Sequence, residues 1–208
     1  MAQLLLIRHG QASYGQEDYD RLSPCGQEQA CAVGRYLVTA KLDALFVGPH
    51  RRQIETASLA AEHGKLPRPT PIAELGEYPA FEIVKQFPGE PFHEVMNKWS
   101  RGELVIPGVE HVREFAARVR AGLDRVVGLV GSGGRIGVVT SAGPIGVAIG
   151  LVFAASEHHM IRASAVVRNA SITELRLRTH DFAWHPEKVA LVSFNSVAHL
   201  PAELHTEY

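Results

Sequence analysis

Apolar residues fall along this chain in short unbroken runs that stop abruptly at glycine or polar side chains, alternating with stretches where they recur every three or four positions. The first run, Leu4-Leu5-Leu6-Ile7, ends at Arg8-His9-Gly10. A run of this kind reads as a strand buried on both faces. Residues 11–22 form a polar loop, and Ser23-Pro24 then supplies an N-cap and a proline for the first helical position. Ala30, Val33, Leu37 and Ala40 make one apolar stripe, predicting a helix through about residue 40. Residues 42–47 read as a second buried strand ending at Gly48-Pro49, after which His50-Arg51-Arg52-Gln53 opens another helix. Residues 64–110 carry most of the prolines and are expected to be irregular, with one or two short helices including residues 92–99. Val112, Phe115, Val119, Leu123, Val126 and Val130 predict a long amphipathic helix, closed by the turn Gly131-Ser132-Gly133-Gly134. Residues 136–140 are a third buried strand; Ser141-Ala142-Gly143 follows, and Pro144 is expected to start an apolar helix. Residues 171–178 and 189–195 complete the strands.

At least five strands separated by helices predict an α/β fold, a three-layer sandwich with a mostly parallel central sheet and helices on both faces. With 208 residues, 46% of them hydrophobic, the chain is long enough for one domain over 1–208, with an irregular and helical insertion at about 76–110 rimming the site. A formal charge of -1 provides no basic field for nucleic acid. The longest apolar stretch, residues 145–155, is too short and glycine-rich to span a membrane. Residues 1–3 lack a basic leader and Arg8 interrupts the apolar run, so a cytoplasmic location is expected. Cys25 and Cys31 would lie about 9 Å apart along a helix axis, beyond disulfide reach, and read as reduced packing residues.

In a doubly wound sheet, ligands bind outside the carboxyl ends of the strands, where Arg8 and His9 would sit. Arginine offers a planar fork suited to phosphate, and neutral histidine can act as a nucleophile. Gly10 is expected to let the backbone turn where a side chain would crowd the ligand. Together with Arg52 and a carboxylate these groups fit phosphoryl transfer: two guanidinium groups hold a phosphate monoester, His9 attacks phosphorus, and a carboxylic acid protonates the leaving alkoxide. Glu77 in Leu75-Gly76-Glu77-Tyr78 is the candidate acid, with Glu74 second.

The motifs Leu6-Ile7-Arg8-His9-Gly10-Gln11, Leu22-Ser23-Pro24-Cys25-Gly26, Gly48-Pro49-His50-Arg51-Arg52-Gln53-Ile54-Glu55-Thr56-Ala57, Leu75-Gly76-Glu77, Val138-Val139-Thr140-Ser141-Ala142-Gly143 and Asn195-Ser196-Val197-Ala198-His199-Leu200 together resemble the histidine phosphatase, or phosphoglycerate mutase-like, superfamily, in its small bacterial-type phosphatase branch. The resemblance implies that Arg8 and Arg52 bind phosphate, with Arg51 the alternative to Arg52, that His9 is phosphorylated, and that Glu77 is the acid and base. Gly10, Gln11, His50 and Ala142 would line the pocket. No cofactor or metal is expected. The family normally carries a second histidine in a Ser-His-Gly-Gly pattern, and Ser141 stands in its place as a shorter phosphate donor. Losing one donor aimed at developing charge costs about 10²–10³ in rate, so a slow enzyme or one of shifted specificity is expected. Tyr14 and Gly15 stand where mutases of the family tend to carry Trp and Asn, which favours phosphatase over phosphoglycerate mutase.

A catalytically impaired relative that binds a phosphorylated ligand is the competing class. A serine hydrolase centred on Ser141 fails because its elbow would need glycine where Val139 stands. A metal site is not expected: His158-His159 are adjacent and would point apart on a helix, and His180 with His185 has no third ligand at a recognised spacing. The expected partner is a phosphorylated small molecule, with a phosphorylated protein also open; no nucleic acid or membrane is expected, and the sequence leaves the oligomeric state open. Selectivity should come from residues 78–110, where Phe81, Phe87, Phe92 and Trp99 hint at an apolar rim.

Overall fold

The computed structural model describes residues 1–206 apart from residues 17, 130 and 181. Six strands, β1 (Ala2–Arg8), β2 (Ala44–Val47), β3 (Thr70–Pro71), β4 (Arg135–Thr140), β5 (Ile172–Leu177) and β6 (Val189–Ser196), form one sheet in the order β3-β2-β4-β1-β5-β6. The helices are α1 (Pro24–Leu37), α2 (Arg51–Gly64), α3 (Ala80–Val84), α4 (Phe92–Ser100), α5 (Val112–Gly128), α6 (Ala142–Val152) and α7 (Glu157–Ser164).

Strand alternation sorts the core into two layers. Leu4 and Leu6 of β1, Phe46 of β2, and Ile136 and Val138 of β4 face a cluster shared with α4, α5, α6 and α7. Leu5 and Ile7, Leu45 and Val47, and Val139 face the opposite cluster, shared with α1 and α2. The result is the three-layer α/β sandwich with helices on both faces.

Pairing is parallel among β1, β4, β2 and β3. The last two strands differ from the expectation that helices separate all strands. β5 runs antiparallel to β1, and β6 antiparallel to β5, with residues 178–188 between them forming a loop and no helix among the described residues. A hairpin needs only a short connection, whereas a parallel pair would need a crossover. The proline-rich segment also holds a strand, β3. Its two residues, Thr70 and Pro71, pair with Phe46 and Val47, and so short a strand has no period to reveal it.

Ser23 caps α1 by accepting from Gly26 N, with Pro24 in the first turn. The helix ends at Leu37, and residues 38–40 continue as one 3₁₀ turn. Helix α6 begins at Ala142, so Pro144 lies inside its first turn, where a missing N–H costs nothing. The α5 stripe holds through Val126, while Val130 lies outside the described residues.

The topology fixes where a ligand can sit. β1 and β4 are parallel neighbours, paired from Gln3↔Arg135 to Arg8↔Thr140. The chain leaves β1 toward α1 on one face and leaves β4 toward α6 on the other. Helices diverging from adjacent strand tips open a crevice at the carboxyl ends.

Candidate active site

Arg8, His9, Ala12, Tyr14, Tyr19, Arg52 and Glu77 line a cavity of about 490 Å³ at that crevice. A larger depression of about 840 Å³ lies at the amino ends of β1 and β4, lined by Met1, Asp124, Arg178, His180 and Lys188 among others. The smaller cavity is the one that brings a buried histidine, two arginines and a glutamate together.

His9 is 5% exposed, and its backbone N–H donates to Thr140 O at 2.9 Å, which ties the tip of β1 to that of β4. Its Nδ1 lies 2.7 Å from Gly10 O, and its Nε2 lies 3.0 Å from Arg52 Nε. A carbonyl can only accept and a guanidinium can only donate, so Nδ1 carries the proton and Nε2 presents a lone pair. Burial, reinforced by Arg52 and Arg8, holds the imidazole well below its ordinary pKa. His9 is therefore a neutral ring with a fixed tautomer.

Arg52 sits at the start of α2, with a second N–H on the Asp20 carboxylate and its guanidinium carbon 5.7 Å from the centre of the Tyr19 ring. Its neighbour Arg51 points to solvent and pairs with Asp18 and Glu55, so of the two arginines it is Arg52 that faces the cavity. Arg8, at the end of β1, donates to Val167 O.

Glu77 comes from the turn after β3. Gly143 N donates to its Oε2 and Tyr78 N to its Oε1, each at 3.0 Å. Desolvation raises its pKa, although these two N–H groups and the positive charges of Arg52 and Arg8 pull the other way. The carboxyl thus holds a proton more readily than a solvated glutamate. Its turn is fastened from several sides: His50 Nε2 accepts from Glu77 N at 3.0 Å, Thr140 Oγ1 donates to Leu75 O at 2.7 Å, and Arg118 donates to Glu74 O and Gly76 O. Glu74 faces away, toward Arg125 on α5 at 3.6 Å, and does not line the cavity.

The remaining expected residues fall around this centre. Gly10 N donates to Thr56 Oγ1, and a side chain at Gly10 would strike the Gly26 carbonyl, so this glycine makes room for helix α1 and not for a ligand. Gln11 turns toward α1, accepting from Ser23 Oγ at 2.8 Å. His50 supports Glu77 from behind. Ala142 opens α6. Ser141 is fully buried, is not part of the cavity lining, and accepts from Gln53 Nε2 at 2.6 Å. Of the apolar rim expected from residues 78–110, Trp99 is core at 1% exposure, while Phe81 meets Tyr19 edge to face at 5.6 Å.

Six contributors lie outside the expected site residues: Ala12, Tyr14, Tyr19 and Asp20 in a segment without periodicity, Gln53 inside a helix, and Gly143 beside Glu77. Of these, Gly143 leaves a local sign, a glycine in the first turn of a helix. A side chain there would collide with the Glu77 carboxylate.

The sequence pattern of the histidine phosphatase superfamily (branch 1) matches residues 4–188, and the chain belongs to that family. An Arabidopsis thaliana protein described as a probable 2-carboxy-D-arabinitol-1-phosphatase is 25% identical over 129 residues, which is 57% of this chain and 27% of that protein. The chain thus matches about a quarter of that relative's length. Among solved structures, a mycobacterial glucosyl-3-phosphoglycerate phosphatase superposes with a TM-score of 0.70 at 20% identity, covering 93% of this chain and 98% of the other. A phosphoserine phosphatase mutant from Entamoeba histolytica, in complex with phosphoserine, gives 0.71 at 21% identity, covering 97% and 100%. These superpositions establish the shared fold. Among the described residues, no helix is long and apolar enough to cross a membrane.

Proposed function

We propose that the protein hydrolyses phosphate monoesters through a phosphohistidine on His9. The observation that carries this reading is the His9 ring, with Nδ1 tied to Gly10 O and the Nε2 lone pair aimed at Arg52. Phosphate oxygens binding Arg52 and Arg8 would bring phosphorus to that lone pair. Nε2 attacks, the phosphorus–oxygen ester bond breaks, and protonated Glu77 gives its proton to the leaving alkoxide. The Glu77 carboxylate then takes a proton from water, water oxygen attacks the phosphohistidine, and inorganic phosphate leaves as the electron pair returns to Nε2. The direction of both shifts suits these roles: burial favours the neutral form of His9 as nucleophile and the protonated form of Glu77 as acid. Substrates named for the relatives, phosphoserine among them, make small phosphorylated metabolites the first class to try.

Rapid quenching with a labelled monoester should trap an acid-labile, base-stable phosphoryl group on the protein, absent in His9→Ala. Turnover at the parental rate in His9→Ala would overturn the mechanism. The second reading, a phosphate-ligand binder with impaired chemistry, draws on the burial of Ser141 and its bond to Gln53. Ser141→His separates the two. A weakened enzyme should gain about 10–100-fold, whereas a binder that forms no adduct before or after the change would establish the second reading.

A further inference from the structure

Arg8, His9, Arg52 and Glu77 form part of the cavity lining. The rest of the lining is different in character: buried Ala12, half-buried Tyr19 and exposed Tyr14 complete it, and its two cations are the part-buried Arg8 and the buried Arg52. The Tyr19 ring lies directly beside the Arg52 guanidinium, so an apolar wall begins where the phosphate site ends. Tyr14 meets Tyr19 edge to face at 6.0 Å, and Phe81 from α3 meets the same ring edge to face at 5.6 Å. Tyr14 and Phe81 are 76% and 56% exposed, large rings kept in water on Tyr19; Tyr14 lines the cavity, and Phe81 backs the Tyr19 ring.

The loop that carries the two tyrosines is held in place. Residues 13–21 are closed at the neck by the Ala12↔Leu22 bridge and by Ser13 N donating to Arg21 O at 2.9 Å. Asp20 clamps the loop onto α2, accepting from Arg51 N at 2.8 Å and pairing with Arg52. The same carboxylate offsets part of the Arg52 charge, which weakens the pull of this site on a second anionic group such as a leaving-group carboxylate.

We propose that Tyr14, Tyr19 and Phe81 form a leaving-group subsite that selects phosphate monoesters bearing a neutral aromatic ring close to the ester oxygen. This rests on the phosphatase reading. The leaving group of any ester bound at Arg8 and Arg52 must project outward past Tyr19. An aromatic ring there can make edge-to-face contacts of the kind the three side chains already make with one another, each favouring the aromatic ligand by about two- to ten-fold.

The test compares benzyl with ethyl phosphate, whose leaving alkoxides are similar in basicity, so that the ring and not the leaving ability is read. Phosphoserine serves as the carboxylated control. Binding of phenylphosphonate and ethylphosphonate by titration calorimetry runs alongside and needs no turnover. The expected result is a benzyl-to-ethyl ratio of kcat/KM on the order of ten, with phosphoserine at or below ethyl phosphate. The ratio should be kept in Tyr19→Phe, reduced in Phe81→Ala and close to one in Tyr19→Ala. Hydrolysis of benzyl and ethyl phosphate at similar efficiency, or a ratio insensitive to all three rings, overturns the subsite and leaves the phosphatase reading standing. If neither ester is hydrolysed but phenylphosphonate binds more tightly through Tyr19, the subsite stands and the phosphatase reading falls. Equal binding of the two phosphonates without turnover, or no binding of either, overturns both.

Discussion

The tips of β1 and β4 lie side by side, Arg8 opposite Thr140; β4 passes almost at once into α6 at Ala142, whereas α1 starts only at Pro24, well beyond the end of β1. At one tip the first residue beyond the strand is His9, whose ring nitrogen reaches the cavity. At the other it is Ser141, too short to leave the interior and engaged with Gln53. Equivalent backbone positions thus yield one chemical group and one structural group, and side-chain reach is what separates them.

Replacing each by alanine is the most direct way to break this comparison. His9→Ala should lower turnover by about 10⁴-fold or more, while Ser141→Ala should change it by less than about five-fold and cost about 1 kcal/mol of stability from the lost hydrogen bond. Comparable losses of turnover would mean that Ser141 touches the phosphoryl group after all. The β4 side should matter instead through Gly143, whose N–H holds Glu77 and whose missing side chain leaves room for that carboxylate. Gly143→Ala should displace the acid and reduce kcat by about 10²-fold, with adduct formation slowed and phosphonate binding nearly intact. A normal kcat would show that Glu77 is not the proton donor.

Smaller effects sharpen the β1 side. Asp20 neutralises part of Arg52, so Asp20→Asn should lower KM for monoesters by about two- to five-fold, the range of a half-exposed ion pair. A raised KM would mean that the clamp on the loop outweighs the charge. The smallest effect concerns acid stability. Burial lowers the pKa of His9, His50 and His199, the last to about 4. As pH falls below about 6.5, the unfolded chain takes up protons that the folded chain refuses, so stability declines on the acid side. Glu77 has the opposite sign: its raised pKa adds stability at low pH that is lost as pH rises through the folded value. For His199, partly open to water, a share of about 1 kcal/mol, or 2–4 °C in Tm, is expected between pH 6.5 and about 4. Differential scanning calorimetry of His199→Phe should show a correspondingly flatter decline.

Which of these features can be read in the sequence follows from how local they are. Arg8 and His9 announce themselves because a buried run stops where a charged residue begins, and that stop is the strand tip; Arg52 lies beyond the end of β2, in the first turn of α2, and only the family resemblance favours it over Arg51. The Ser23-Pro24 start of α1 is equally local. The constraint on Gly10 comes from the Gly26 carbonyl and not from a ligand, a contact between a strand tip and a helix that no spacing encodes. Tyr19 and Asp20 sit in a loop whose shape depends on what α2 offers them. The direction of β5 and β6 is hidden for a related reason, since buried parallel and antiparallel strands carry the same apolar run.

The chain has two tryptophans, in different surroundings. Trp99 stacks on Tyr78 at 5.2 Å, one residue from Glu77, whereas Trp184 lies against Phe182 and donates to Asp124 by the distal depression. Replacing Trp184 with phenylalanine would leave a single indole emitter one aromatic ring removed from the proposed proton donor. Charging, discharging or displacing Glu77 would then alter the light this protein emits, giving an optical record of events at the acid in real time without any attached dye.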